Sequence, residues 1–150
     1  MKIDRFVISK FVTPVFVSAL CVHAMLTLAA QGAEQTERSP ITIHVLDTSR
    51  GKPAASVAVT LEQADGKEWR ETAKGKTDKN GRIDHLLPGK KPLAAGIYRV
   101  TFESGAYFAE SKTKTFYPQI TVYFEIADPT EHYHIPLLLS PFGYSTYRGS

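Results

Sequence analysis

From residue 41 onward the chain alternates between apolar and polar positions with a period of two, broken at intervals by turn-forming residues. In "ITIHVLD" (41–47), Ile41, Ile43 and Val45 fall on one face and Thr42, His44 and Leu46 on the other, as in a half-buried strand. "SVAVTLEQ" (56–63) aligns Val57, Val59 and Leu61 in the same way. After an "ADG" turn, "KEWRETAKGKT" reads as a mostly polar strand with the single tryptophan, Trp69. "DKNG" (78–81) is a strong turn signal, because Asn and Gly tolerate positive φ, and "RIDHLLP" follows it. "GIYRVTFES" (96–104) and "PQITVYFEIAD" are further strands, the second bounded by Pro118 and "DPT". Between them "GAYFAESK" is the one short segment with helical character.

The chain closes on "HYHIPLLLS" and "GYSTYRG", two strand readings joined by a tight "PF" connection. His132 and His134 share one face of the first, opposite Tyr133, Ile135, Leu137 and Leu139. Pro136 cannot donate to a ladder, which predicts an edge or bulge position for it. Seven or eight strands with one short helix predict an all-β fold, an antiparallel β-sandwich around one core.

The first residues follow a different rule. "MKIDRFVISK" is basic, "FVTPVFVSALCVHAMLTLAA" is largely apolar, and small residues and a polar stretch follow. That is the layout of a signal peptide spanning about residues 1–33, with Ala30 and Gly32 suited to a cleavage site. An uncleaved membrane anchor is the rival reading of a run this long, weakened by Pro14 and His23. Residues 34–40 then form a short polar linker, and 41–150 the folded domain.

Charge and cysteine content change with that division. The leader holds Lys2, Arg5 and Lys10 against Asp4, so the formal +3 of the whole chain falls to +1 in the mature part. A charge that small argues against nucleic acid as a partner. The single cysteine, Cys21, lies in the leader, which leaves the mature chain no disulfide and puts the weight on packing and subunit association.

Candidate chemistry rests on the imidazoles. His-x-His on one strand face can chelate, but a zinc site needs three or four ligands and the mature chain has no cysteine to add. No G-x-S-x-G marks a serine hydrolase, and the glycines punctuate turns rather than cradle a phosphate. Arg82, directly after "DKNG", is by default a solvated charge. The last nineteen residues nevertheless carry two histidines, three tyrosines and an arginine where a chain end is usually frayed.

That terminus, "HYHIPLLLSPFGYSTYRGS", resembles the C-terminal signature of the transthyretin-related 5-hydroxyisourate hydrolases, which ends in "YRGS". "ITIHVLDTSRGKPA" (41–54) and "TDKNGRIDHLLP" (77–88) resemble the family's first and middle motifs, so the likeness covers 41–150. The resemblance implies a sandwich of two four-stranded sheets, assembled as a homotetramer that is a dimer of dimers. It implies active sites in a channel between the dimers, reached by the terminal tetrapeptide. By motif position it assigns His44, Arg82, His134 and Ser150 to catalysis. His44, Arg82, Tyr147, Arg148 and Gly149 are assigned to substrate binding. The implied reaction is hydrolytic opening of 5-hydroxyisourate to the ureidoimidazoline carboxylate of urate degradation, with no metal or organic cofactor. The leader, which many members of this family lack, points instead to the periplasm or cell exterior, without stable membrane association after cleavage. The alternative is an exported transthyretin-like carrier of small molecules. Such a carrier lacks the imidazole pair and the "YRGS" ending, both kept here.

Overall fold

A computed structural model describes residues 39–87 and 93–150. The predicted leader, most of the linker and Pro88 lie outside these residues.

Two sheets face each other across one core. The first contains β1 (Ile41–Asp47), β2 (Lys52–Pro53), β5 (Arg82–Ile83), β8 (Tyr133–Ser140) and β9 (Gly143–Thr146). Its order is β2-β1-β8-β9, with β5 also pairing β1. The second contains β3 (Ala58–Asp65), β4 (Glu68–Lys76), β6 (Gly96–Phe102) and β7 (Ile120–Ile126), ordered β4-β3-β6-β7. The helix α1 (Ser104–Glu110) follows β6 and sends Phe108 into the core.

The alternation seen in the sequence is what fills the space between the sheets. Ile41, Ile43 and Val45 from β1 meet Val57, Val59 and Leu61 around β3, all essentially without solvent contact. Tyr98, Val100 and Phe102 of β6 and Tyr133, Ile135, Leu137 and Leu139 of β8 complete the packing. Burial of each such aliphatic side chain contributes about 1.5–3 kcal/mol. β4 and β7 lie at the edges of the second sheet. β4 accordingly buries only Ala73, and its register slips at a bulge beside Leu61 and Glu62.

Three details depart from the sequence expectation. The first sheet gains a fifth member because the two-residue β2 folds back on β1, pairing Asp47 with Lys52. Its two long strands, β1 and β8, run parallel, pairing Ile41 with Tyr133 through to Asp47 with Leu139. The intervening long strands belong to the other sheet, so no tight hairpin forces the two to oppose.

The third departure concerns Pro136. It sits in β8, an interior strand, rather than at an edge or bulge. Its absent N–H is accommodated by a gap in the β8–β9 ladder. Pairing runs from Ser140–Gly143 to Leu137–Thr146, lapses, and resumes in the same register as the single bridge His134–Gly149. Across the gap the Thr146 hydroxyl donates to the Pro136 carbonyl at 2.8 Å. β9 therefore ends at Thr146 and not at Gly149 as the sequence reading had it.

Candidate active site

The outer face of the first sheet gathers the polar positions of β1 and β8. Parallel pairing places Thr42 beside His134 and His44 beside Pro136. His44 and His134 thus lie diagonally across adjacent strands, their ring centroids 6.4 Å apart and the planes inclined by 37°. Ninety residues of sequence separate them.

Arg82 arrives from the other side. β5 pairs antiparallel with β1 and sets Arg82 directly opposite His44. The "DKNG" turn makes this possible. The Asp78 carboxylate accepts from the backbone N–H groups of Asn80 and Arg82, both at 2.8 Å. Gly81 has φ +72, and its carbonyl accepts from Val45 N–H at 2.8 Å. A Cβ at Gly81 would overlap the Val45 carbonyl, so only glycine brings the turn this close to β1.

The electrostatics favour a neutral His44. Burial lowers its pKa and the Arg82 charge lowers it further, outweighing the raising effects of an Asn80 backbone hydrogen bond and of Asp78 and Asp84. A neutral imidazole has a lone pair that can take a proton.

His134 is held on several sides. Thr42 Oγ1 lies 2.8 Å from His134 Nδ1 and 3.0 Å from His132 Nε2, and His132 Nδ1 is 2.8 Å from the Ser39 carbonyl. The His134 carbonyl accepts from Gly149 N–H at 3.0 Å. Gly149 passes so near the imidazole that a Cβ there would overlap His134 Cδ2. Thr42 is buried although it points outward, because it lies within hydrogen-bond reach of both imidazoles.

The structure therefore brings together His44, Arg82, His134 and Gly149. Ser150, the next residue, is exposed. Tyr147 is 58 % exposed and lines, with His134, Arg148 and Phe124, a hollow of about 510 Å³ beside β7. Arg148 is turned to a partner of its own: it pairs with Glu131 at 2.6 Å and lies over the Tyr133 ring at 5.5 Å. Among the described residues, no three His, Cys, Asp or Glu side chains cluster to hold a metal ion.

Four contributors were missed from sequence. Thr42 and His132 were placed on the correct faces but given no role, and only the parallel register shows that they touch. Asp78 was read as part of a turn without its contacts to the Asn80 and Arg82 N–H groups, and Glu131, which no local pattern ties to Arg148, was not singled out.

Comparisons with known proteins give this arrangement a context. Residues 41–149 match the sequence model of the HIUase/Transthyretin family. A 5-hydroxyisourate hydrolase of Salmonella dublin is 47% identical over 129 residues, covering 86% of this chain and 94% of that protein. The solved Klebsiella pneumoniae 5-hydroxyisourate hydrolase superposes with a TM-score of 0.64 at 38% identity, over 73% of this chain and 98% of its own. Transthyretin from Sparus aurata superposes with a TM-score of 0.70 at 35% identity, over 75% and 97%. Matched by the family model from residue 41 to residue 149, the domain belongs to the HIUase/Transthyretin family.

Proposed function

We propose that this chain is an enzyme that hydrolyses 5-hydroxyisourate to 2-oxo-4-hydroxy-4-carboxy-5-ureidoimidazoline, a step of urate degradation. The observation that carries the reading is the meeting of His44 and His134, 6.4 Å apart, with Arg82 directly across the strand pair. A carrier of small molecules has no need of two imidazoles at that separation. The Salmonella and Klebsiella relatives bear the hydrolase name.

The substrate is a planar, oxygen-rich ring with an electrophilic carbonyl. A water held between the imidazoles gives one proton to an imidazole as its oxygen bonds the carbonyl carbon. The ring C–N bond then breaks, the departing nitrogen takes a proton back, and a carboxylate is left. A positioned base contributes about 10²- to 10⁴-fold to such a step. The Arg82 guanidinium offers a fixed fork of donors to the substrate oxygens and offsets the charge that develops on them. Tyr147 packs against the heterocycle, Arg148 and Gly149 complete the binding surface, and the Ser150 hydroxyl bonds to water or substrate.

Two further expectations belong to this reading. The basic, apolar and small-residue order of residues 1–33 supports export to the periplasm or cell exterior, and loss of that segment. Tetramer assembly as a dimer of dimers is supported by the exposed Phe116 and Phe142, at 72 % and 74 %, and by the open edge of β9. In that assembly the tetrapeptide 147–150 borders a channel between subunits.

The test is to add purified domain to freshly generated 5-hydroxyisourate and follow its ultraviolet absorbance. Accelerated decay is expected. Decay no faster than in buffer, together with saturable binding of an aromatic ligand, would favour the carrier.

A further inference from the structure

The hydrogen bonds behind His134 form a chain with only one consistent direction when the imidazoles are neutral. A carbonyl oxygen can only accept, so the 2.8 Å contact between Ser39 O and His132 Nδ1 places a proton on that nitrogen. Neutral His132 then presents a lone pair at Nε2. The group 3.0 Å away is the Thr42 hydroxyl, which must donate its one proton there. Having donated, Thr42 Oγ1 can only accept from His134 Nδ1 at 2.8 Å. His134 is thereby written as the Nδ1–H tautomer, with its lone pair on Nε2. The ring has little freedom to escape this assignment, since the backbone of Gly149 lies against its Cδ2 edge.

We propose that Thr42 and His132 are positioning residues that fix the tautomer of His134, ordering one proton along the path Ser39 carbonyl, His132, Thr42, His134. Neither residue touches the substrate in this scheme. Their effect is to put the proton of His134 on Nδ1 and its basic lone pair on Nε2. The usual orienting partner of a catalytic imidazole is a carboxylate or carbonyl that accepts from Nδ1–H. A threonine hydroxyl is ambivalent, because it can donate or accept, and so cannot select a tautomer alone. His132 removes the ambiguity by occupying the hydroxyl's proton. This explains in physical terms why two histidines on one strand face serve one site: one acts, and the other sets the polarity of the link. The inference rests on reading His134 as a base of the hydrolase, but the tautomer itself is independent of activity.

The experiment is nitrogen-15 NMR of the imidazoles in the full mature protein at neutral pH, with steady-state kinetics on freshly generated 5-hydroxyisourate. In the wild type, His134 is expected to show a protonated Nδ1 and a pyridine-like Nε2. A predominantly Nε2-protonated His134 would overturn the proposal without any variant. Thr42→Val keeps the side-chain shape but removes the link. It should mix the two tautomers and lower kcat by about 10- to 100-fold, part of what a positioned base supplies. KM should stay within about twofold, as expected of a residue acting through another, and Thr42→Ser should restore both signal and rate. His132→Phe leaves Thr42 in place but frees its hydroxyl proton, so His134 should shift towards Nε2–H. Unchanged His134 nitrogen signals in both variants would also overturn the proposal. If the tautomer responds as expected but the wild type does not accelerate decay of the substrate, the hydrolase reading fails and the proton-ordering chain stands.

Discussion

His44 and Asp47 lie three residues apart on β1, and both are tuned by neighbours that the fold supplies. Burial and the Arg82 charge hold the His44 pKa below its ordinary 6.5. A base with a lowered pKa stays neutral further into acid, so the acid limb of kcat/KM set by His44 belongs below pH 6.5. Arg82→Gln should move the His44 titration back up, as read from its imidazole proton shifts. A downward move would contradict the electrostatic assignment.

Asp47 is 1 % exposed, yet its carboxylate is well served. Burial would raise its pKa, but the Ser49 hydroxyl, the Tyr107 hydroxyl and the Arg50 and Ser49 backbone N–H groups outweigh burial and lower it. A depressed carboxyl contributes stability that is fully present above its ordinary value near 3.8 and is lost as pH falls through the folded value. Asp47→Asn should therefore cost about 1–3 kcal/mol at neutral pH, the usual penalty for disrupting a satisfied buried group. It should also flatten the acid limb of the stability curve, as measured by urea unfolding at several pH values.

At the scale of elements, β8 and the chain end are joined by a ladder that Pro136 interrupts. Tyr147 and Arg148 fall in that interruption, and Gly149 is caught again by His134. The gap lets two side chains leave sheet geometry just before the site, while the bridge fixes where the terminus returns. Pro136→Val supplies the missing donor and should draw Tyr147 into the ladder. Slowed amide exchange at the N–H introduced by the substitution and at Tyr147, which lies opposite residue 136 in this register, with reduced turnover, is the expected outcome. Exchange at Tyr147 unchanged from the wild type would show that proline is not what opens the gap. Gly149→Ala should be more damaging, because its Cβ would overlap the His134 ring. Turnover should fall at least about tenfold, the scale of a displaced base, while far-ultraviolet circular dichroism stays unchanged.

Across the whole molecule, the strands were legible because their apolar period matches the face that becomes the core. Ile41, Ile43, Val45, Val57, Val59 and Leu61 fell where the alternation put them. The parallel pairing of β1 with β8 was not legible, since alternation defines faces and says nothing of strand direction. The two-residue β2 was too short to show a period. The site divides along similar lines. His44, Arg82 and His134 were assigned through motif resemblance, and the fold brings these three together with Gly149. Thr42 and His132 depend on a register that no local pattern encodes. Pro136 was correctly read as incompatible with an unbroken ladder, but the solution is a gap within an inner strand.

In the proposed reading, the sandwich is a scaffold whose outer sheet face carries the chemistry. That reading requires the imidazole from β8 to act on water beside the one from β1. The most direct measurement is the turnover of freshly generated 5-hydroxyisourate by His134→Asn, set against the wild type in the same oligomeric state by size-exclusion chromatography. A loss of about 10²-fold or more with the assembly intact is the expected result. Turnover within about twofold of the wild type would remove His134 from the reaction and contradict the account.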